Sequence, residues 1–164
     1  MSASVDPVST DDFVAIQRLV HRYADAVVHR DASQWGLCWA ETARWDLGRG
    51  RLVEGREAIV ALWLSAMKGM AAVVQTVQNG DAWRVDGVPG QAVGRWYISE
   101  RFARADGSRG ILLAHYDDEY VDGESGWQFA SRMLQPHYMG GPDLAADFAN
   151  TAEGLATRGL LPDV

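Results

Sequence analysis

Hydrophobic positions change their period partway along the chain. Phe13, Ile16, Leu19, Val20, Tyr23, Ala24, Val27 and Val28 recur at helical spacing, which predicts an amphipathic first helix. Ser9 or Thr10 can cap it, and Asp11 and Asp12 suit the positive end of its dipole. Arg18, Arg22, Asp25 and His29 fall off the stripe, toward solvent. Asp31 can cap a shorter second helix through Trp39. Thr42 to Val53 reads as two short strands around a Gly48-Arg49-Gly50 turn. A third helix is expected from Arg56 to about Met67, with Ile59, Leu62 and Trp63 inward.

Period two then takes over. Four strand-like segments run roughly over 71–86, 91–105, 109–121 and 126–138, punctuated by Asp86-Gly87, Asp106-Gly107 and Asp122-Gly123. Asp-Gly is a strong hairpin signal. The pattern predicts an α+β domain: one curved antiparallel meander with helices against one face. Alternation sorts the side chains. Val73, Gln75, Val77, Trp83 and Val85 share the first inner row. Trp96, Ile98, Glu100 and Phe102 form the second, and Leu112, Ala114, Tyr116, Asp118 and Tyr120 the third. Gln75, Glu100, Tyr116 and Asp118 are polar intruders in apolar rows. Buried polar groups must find partners, so such residues are structural pairs or chemistry. A bulge would reverse the faces beyond it.

Composition narrows the function classes. Twenty-two acidic residues against 15 basic ones leave a net charge of −7, which argues against nucleic acid. No apolar run reaches membrane-spanning length, and the first residues lack the basic and apolar stretches of a signal peptide. Cys38 is the single cysteine; set among Trp35, Leu37 and Trp39 it reads as a buried, inert thiol, and a cytoplasmic location is expected. No phosphate-cradling loop is found, because Gly48-Arg49-Gly50 opens no helix. His115, Asp117 and Glu119 share one strand face, but three residues on one strand cannot close a metal site alone, so no metal is expected. No cofactor is expected either. That face would meet solvent or another subunit.

The segments Ile16-Gln-Arg-Leu-Val-His-Arg-Tyr23 through Asp31, Trp45-Asp46, Val53-Glu-Gly-Arg-Glu-Ala-Ile59, Gly94-Arg-Trp-Tyr97 and Tyr116-Asp-Asp-Glu-Tyr120 followed by Gly126-Trp127 resemble, in this order and spacing, the SnoaL-like branch of the nuclear transport factor 2-like superfamily. The resemblance covers about Asp11 to Gly141, with 1–10 as an N-terminal tail and 142–164 as an extension in which Leu144, Phe148 and Leu155 should pack. Within the branch the chain is similar to scytalone dehydratase, bile-acid 7α-dehydratase and hexachlorocyclohexane dehydrochlorinase. The resemblance implies a cystatin-like cone, its sheet wrapped around three N-terminal helices, with a pocket at the wide end. It also implies a homodimer or homotrimer through the outer sheet face, where Arg95, Tyr97 and His115 should lie.

The same resemblance implies an Asp–His dyad that abstracts a proton. Its positions fall at Val28 and Gln75, and neither residue is a base. Tyr23 matches a dehydratase tyrosine and Arg132 the dehydrochlorinase arginine, so donors are kept while the base has been lost or moved. Candidate proton carriers are Asp118, between Tyr116 and Tyr120, and His137 at the end of the last strand. Each also has a structural reading: Asp118 as an acceptor from Tyr or Arg, His137 as a surface or interface residue. Glu100 reads equally as the partner of Arg132. Val28, Trp45, Trp63, Gln75, Trp96, Ile98, Glu100, Leu112 and Tyr116 are expected to line a site for a small apolar, even polycyclic, molecule. Two functions follow as expectations: a cofactor-independent lyase or isomerase, in which Tyr23 and Arg132 polarise a substrate oxygen, or a non-catalytic ligand-binding protein.

Overall fold

A computed structural model describes residues 6–48 and 50–153. Ser9 caps α1 (Thr10–His29) by accepting a hydrogen bond from the Asp12 N–H at 3.1 Å, and Arg30 ends the helix in the left-handed region, φ 58°. Asp31 caps α2 (Ala32–Leu37) through the Gln34 N–H. The second helix therefore stops before Trp39, which instead opens β1 (Trp39–Asp46). The reason is tertiary: Trp39 pairs with Phe129, more than eighty residues away, and the Phe129 N–H donates to the Cys38 carbonyl at 2.8 Å. β2 (Leu52–Glu54) and α3 (Arg56–Lys68) follow. In α3, Ile59 and Trp63 are buried, but Leu62 is exposed.

The meander comprises β3 (Met70–Arg84), β4 (Gln91–Arg104), β5 (Arg109–Gly123) and β6 (Gly126–Gly140). Six strands form one sheet in the order β2-β1-β6-β5-β4-β3; the β1–β6 contact is parallel and the others antiparallel. The third hairpin turns two residues later than expected. Asp122 still pairs with Trp127, and Gly126, at φ 82°, supplies the left-handed conformation.

A bulge corrects the first inner row. Val77 pairs with Ile98 and Gly80 with Trp96, so β3 carries one extra residue. Beyond it Ala82 turns inward, fully buried, while Trp83 lies opposite Val93 on the outer face. Val85 lies past the end of β3. The bulge needs a glycine, because a Cβ at Gly80 would sit 2.4 Å from the Trp96 ring.

The helices cover the inner face, where the core falls into two clusters. The larger joins Ile16, Leu19, Val20, Tyr23 and Val27 of α1 to an aromatic group around Trp35. Trp35 stacks on Trp63 at 4.7 Å and meets Trp39 and Trp45 at 5.3 and 5.4 Å. The smaller is Ile98, Phe102, Leu112, Ala114 and Tyr116, with Met70 and Leu134 beside it. Asp6–Val8 adds to the free edge of β3, the Val8 N–H donating to the Ala82 carbonyl. In the extension, Phe148 packs against Tyr138 with ring centroids 4.7 Å apart, whereas Leu144, expected to pack, is exposed; Leu155, like residues 1–5 of the tail, lies outside the described residues. Among the described residues no helix is long and apolar enough to cross a membrane.

Candidate functional site

Helical spacing on α1 delivers Tyr23 to the seam between the two core clusters. There it meets Tyr116 of β5 edge-on, ring centroids 6.1 Å apart. Arg132, fully buried on β6, lies 4.3 Å from the Tyr23 ring, 4.0 Å from Tyr116 and 3.9 Å from Phe129. A guanidinium over aromatic faces is attracted by their quadrupoles. Its formal partner is Asp118, directly opposite in the β5–β6 register: Nε and Nη2 each donate to one carboxylate oxygen at 2.7 Å. The Tyr120 hydroxyl adds a third hydrogen bond to Asp118 at 2.8 Å. Burial alone would lower the Arg132 pKa, but the charge and hydrogen bonds of Asp118 outweigh it, and the net direction is up.

This corrects the pairing expected for Glu100. Arg132 is committed to Asp118, and among the described residues no cation pairs with Glu100. Glu100 lies in the smaller cluster, between Ile98 and Phe102 along β4, opposite Leu112 on one side and Gln75 on the other. Its hydrogen-bond partner is the Gln75 amide, Nε2 donating to Oε2 at 2.9 Å. Burial raises the Glu100 pKa and the Gln75 hydrogen bond opposes the rise only in part. The other end of the Gln75 amide, Oε1, is buried without a partner.

Both tyrosines are good donors here. Burial raises the Tyr23 pKa against the opposing charge of Arg132 and hydrogen bonds from Tyr116 and Arg132, and burial raises that of Tyr116 well above the ordinary value. Each feels the charge of Glu100. The seam thus offers two protonated phenols and one carboxylate without a counter-ion.

The remaining expected residues divide. Val28 and Gln75 line one cavity of about 340 Å³ with His21, Asp25 and His29, so these two residues face each other across α1 and β3. Ile98 and Leu112 lie in the cluster around Glu100, and Trp96 stacks on Phe13 at 5.9 Å next to Tyr116 in register. Trp45 and Trp63 pack against Trp35 in the aromatic core, away from Glu100. His137 is not at the site. The extra residue of β6 at the Glu119–Tyr120 step leaves Phe129 and Arg132 both inward, and alternation from Arg132 then puts His137 on the outer face. There its Nε2 lies 2.8 Å from Nδ1 of His115, and its ring stacks on Tyr97. In that outer network burial pushes Asp117 up, but hydrogen bonds from His115 and Arg95 and their charges hold it at about 2.

Sequence reasoning ranked Asp118 above Glu100 as a proton carrier. The signal that separates them is cross-strand register, which puts an arginine opposite one and a glutamine opposite the other.

A model of the SnoaL-like domain matches residues 8–133, and the chain belongs to that family. Its fold is that of the nuclear transport factor 2-like superfamily. Among solved structures it is similar to a Novosphingobium aromaticivorans protein described as an aromatic ring hydroxylase (TM-score 0.73, 24% identity, covering 85% of this chain and 99% of that one). It is also similar to a type 2 hexachlorocyclohexane dehydrochlorinase (TM-score 0.71, 16% identity, 85% and 93% covered). A third is a protein from Novosphingobium aromaticivorans described as a scytalone dehydratase (TM-score 0.71, 17% identity, 85% and 91% covered). At these identities the likeness establishes the fold. No curated protein matches the sequence.

Proposed function

We propose that the protein is a cofactor-independent lyase or isomerase that removes a proton from a small, apolar, oxygen-bearing substrate, with Glu100 as the base. The observation that carries this is a carboxylate set among Ile98, Phe102 and Leu112, held by an amide rather than a cation and raised in pKa by its burial. Such a group is a better base near neutral pH than an ordinary glutamate. Glu100 takes the proton from carbon while the C–H electron pair forms a new double bond. Tyr23 and Tyr116 donate hydrogen bonds to the substrate oxygen that gathers the charge. In a lyase the bond from carbon to that oxygen breaks with its electron pair on the oxygen, and Glu100 hands over the proton it took so that water departs; in an isomerase Glu100 returns the proton to another carbon. Arg132 and Asp118 act as the scaffold that fixes the two rings.

The natural substrate is not needed for the test. 2-Tetralone is apolar and bicyclic and has exchangeable protons beside its carbonyl, so NMR in D2O reads proton abstraction directly. The expected result is protein-accelerated exchange that falls about 10²–10⁴-fold in Glu100→Gln. Equal acceleration by both proteins removes Glu100 from the chemistry. The second reading, a non-catalytic ligand-binding protein, is favoured by Val28 and Gln75 at the dyad positions; it predicts binding of 2-tetralone with no acceleration at all. Homodimer or homotrimer assembly through the outer face belongs to the same proposal. A groove there of about 580 Å³, lined in part by Trp83, Val93 and Met133, supports it, and a monomer by sedimentation at micromolar concentration would count against it.

A further inference from the structure

We propose that Gln75 is a proton-coupled amide switch: its buried end accepts a hydrogen bond from the ligand while Glu100 is a carboxylate, and donates one after Glu100 has taken a proton. This rests on the reading of Glu100 as the proton acceptor. An ionised carboxylate only accepts, so it must face the NH2 end of the amide. The 2.9 Å Nε2 to Oε2 contact has this sense, and it leaves Oε1 as the free end. Oε1 is buried with no partner, on a side chain more than nine-tenths buried. A buried acceptor in that condition is costly until something donates to it.

Protonation reverses the constraint. A carboxylic acid carries one O–H donor, which the amide oxygen can accept after a half-turn about the terminal torsion of Gln75. The free end then presents NH2. One proton on Glu100 thus exchanges acceptor for donor at a fixed point in the wall. The first state suits a ligand hydroxyl, and the second an oxygen that has gained charge or is about to leave. Histidine at this position could not do the same without itself titrating.

Other titratable groups face the pair. Tyr116 on β5 and Tyr23 on α1 feel the charge of Glu100, Arg132 on β6 stands over both rings bound to Asp118, and His21, Asp25 and His29 of α1 line the cavity that reaches Gln75. The test must therefore separate Glu100 from these neighbours.

Two probes of similar shape do so: 2-naphthol, which donates, and 2-methoxynaphthalene, which only accepts. Equilibrium dialysis from pH 5 to 8 reads their affinities. In the wild-type protein 2-naphthol should bind more tightly as pH rises and 2-methoxynaphthalene more tightly as it falls, so that their affinity ratio changes about tenfold or more. Glu100→Gln keeps both histidines and should hold the ratio constant. Gln75→Met should leave only a parallel dependence of both probes. Parallel wild-type profiles, or a divergence that survives Gln75→Met, overturn the switch. They leave the base untouched, since 2-tetralone exchange decides that separately; failure of both probes to bind would overturn the switch and the pocket together.

Discussion

Glu100 and Asp118 are carboxylates on the same inner face of adjacent strands, and what surrounds them divides the site. Asp118 is sealed, with three donors on its two oxygens, and its guanidinium partner is held among three rings. Glu100 is only partly buried and is held by one amide. A base needs a lone pair that substrate can reach, and Asp118 has spent its own on Arg132 and Tyr120. Neutralisation makes one carboxylate architectural; its lack leaves the other reactive. Burial by itself would not distinguish them.

The comparison breaks most visibly at Asp118. Asp118→Ala leaves Arg132 buried and unpaired, and should cost about 3–5 kcal/mol in urea unfolding. A loss near that of an ordinary surface substitution would mean that the pair is not structural. Glu100→Gln should act in the opposite sense. Its folded pKa is raised, so the protonated form favours the fold: that stability is complete below the ordinary glutamate pKa and is lost as pH rises from there through the folded value. The glutamine variant avoids the loss and should be the more stable protein at pH 7, by roughly 1 kcal/mol, with the difference vanishing toward pH 4. Wild type more stable than the variant at pH 7 would contradict this.

The outer face sets the lower limit. Asp117 pairs with Arg95 at 2.7 Å and with His115, but is itself 37% exposed. Its folded pKa is depressed to about 2, so its contribution is present above the ordinary aspartate value and is lost between that value and about 2. Solvent screening should hold the cost of Asp117→Asn at neutral pH to ~0.2–0.5 kcal/mol. A cost comparable with that of Asp118→Ala would erase the distinction between a sealed pair and an open one.

Much of this frame was legible in the chain. The α1 stripe, the Ser9 and Asp31 caps and the glycines of the first two hairpins are local signals, and each marked its element, although α2 ends before Trp39 and the third turn falls two residues late. Tyr23 and Tyr116 were assigned to the same interior from helical and strand spacing alone, and they meet there. What escaped were facts of register. The extra residue in β3 reverses Trp83, and another in β6, between Phe129 and Ser131, sets Arg132 inward and so His137 outward. Trp39 looks helical until Phe129 pairs with it. Arg132 could have served either carboxylate, and only the β5–β6 alignment puts it opposite Asp118. Each of these depends on which residue stands across a strand pair, and no short stretch of sequence carries that information.

Side-chain carboxyl NMR on protein labelled with ¹³C-glutamate tests the central claim most directly, with Glu100→Gln identifying the resonance. Glu100 should titrate above the ordinary glutamate value of about 4.3, and Gln75→Met should move its midpoint further up, because the carboxylate then loses the amide that stabilises its charged form. A midpoint at or below the ordinary value, unchanged by Gln75→Met, would mean that Glu100 is neutralised after all, and the contrast with Asp118 would fail.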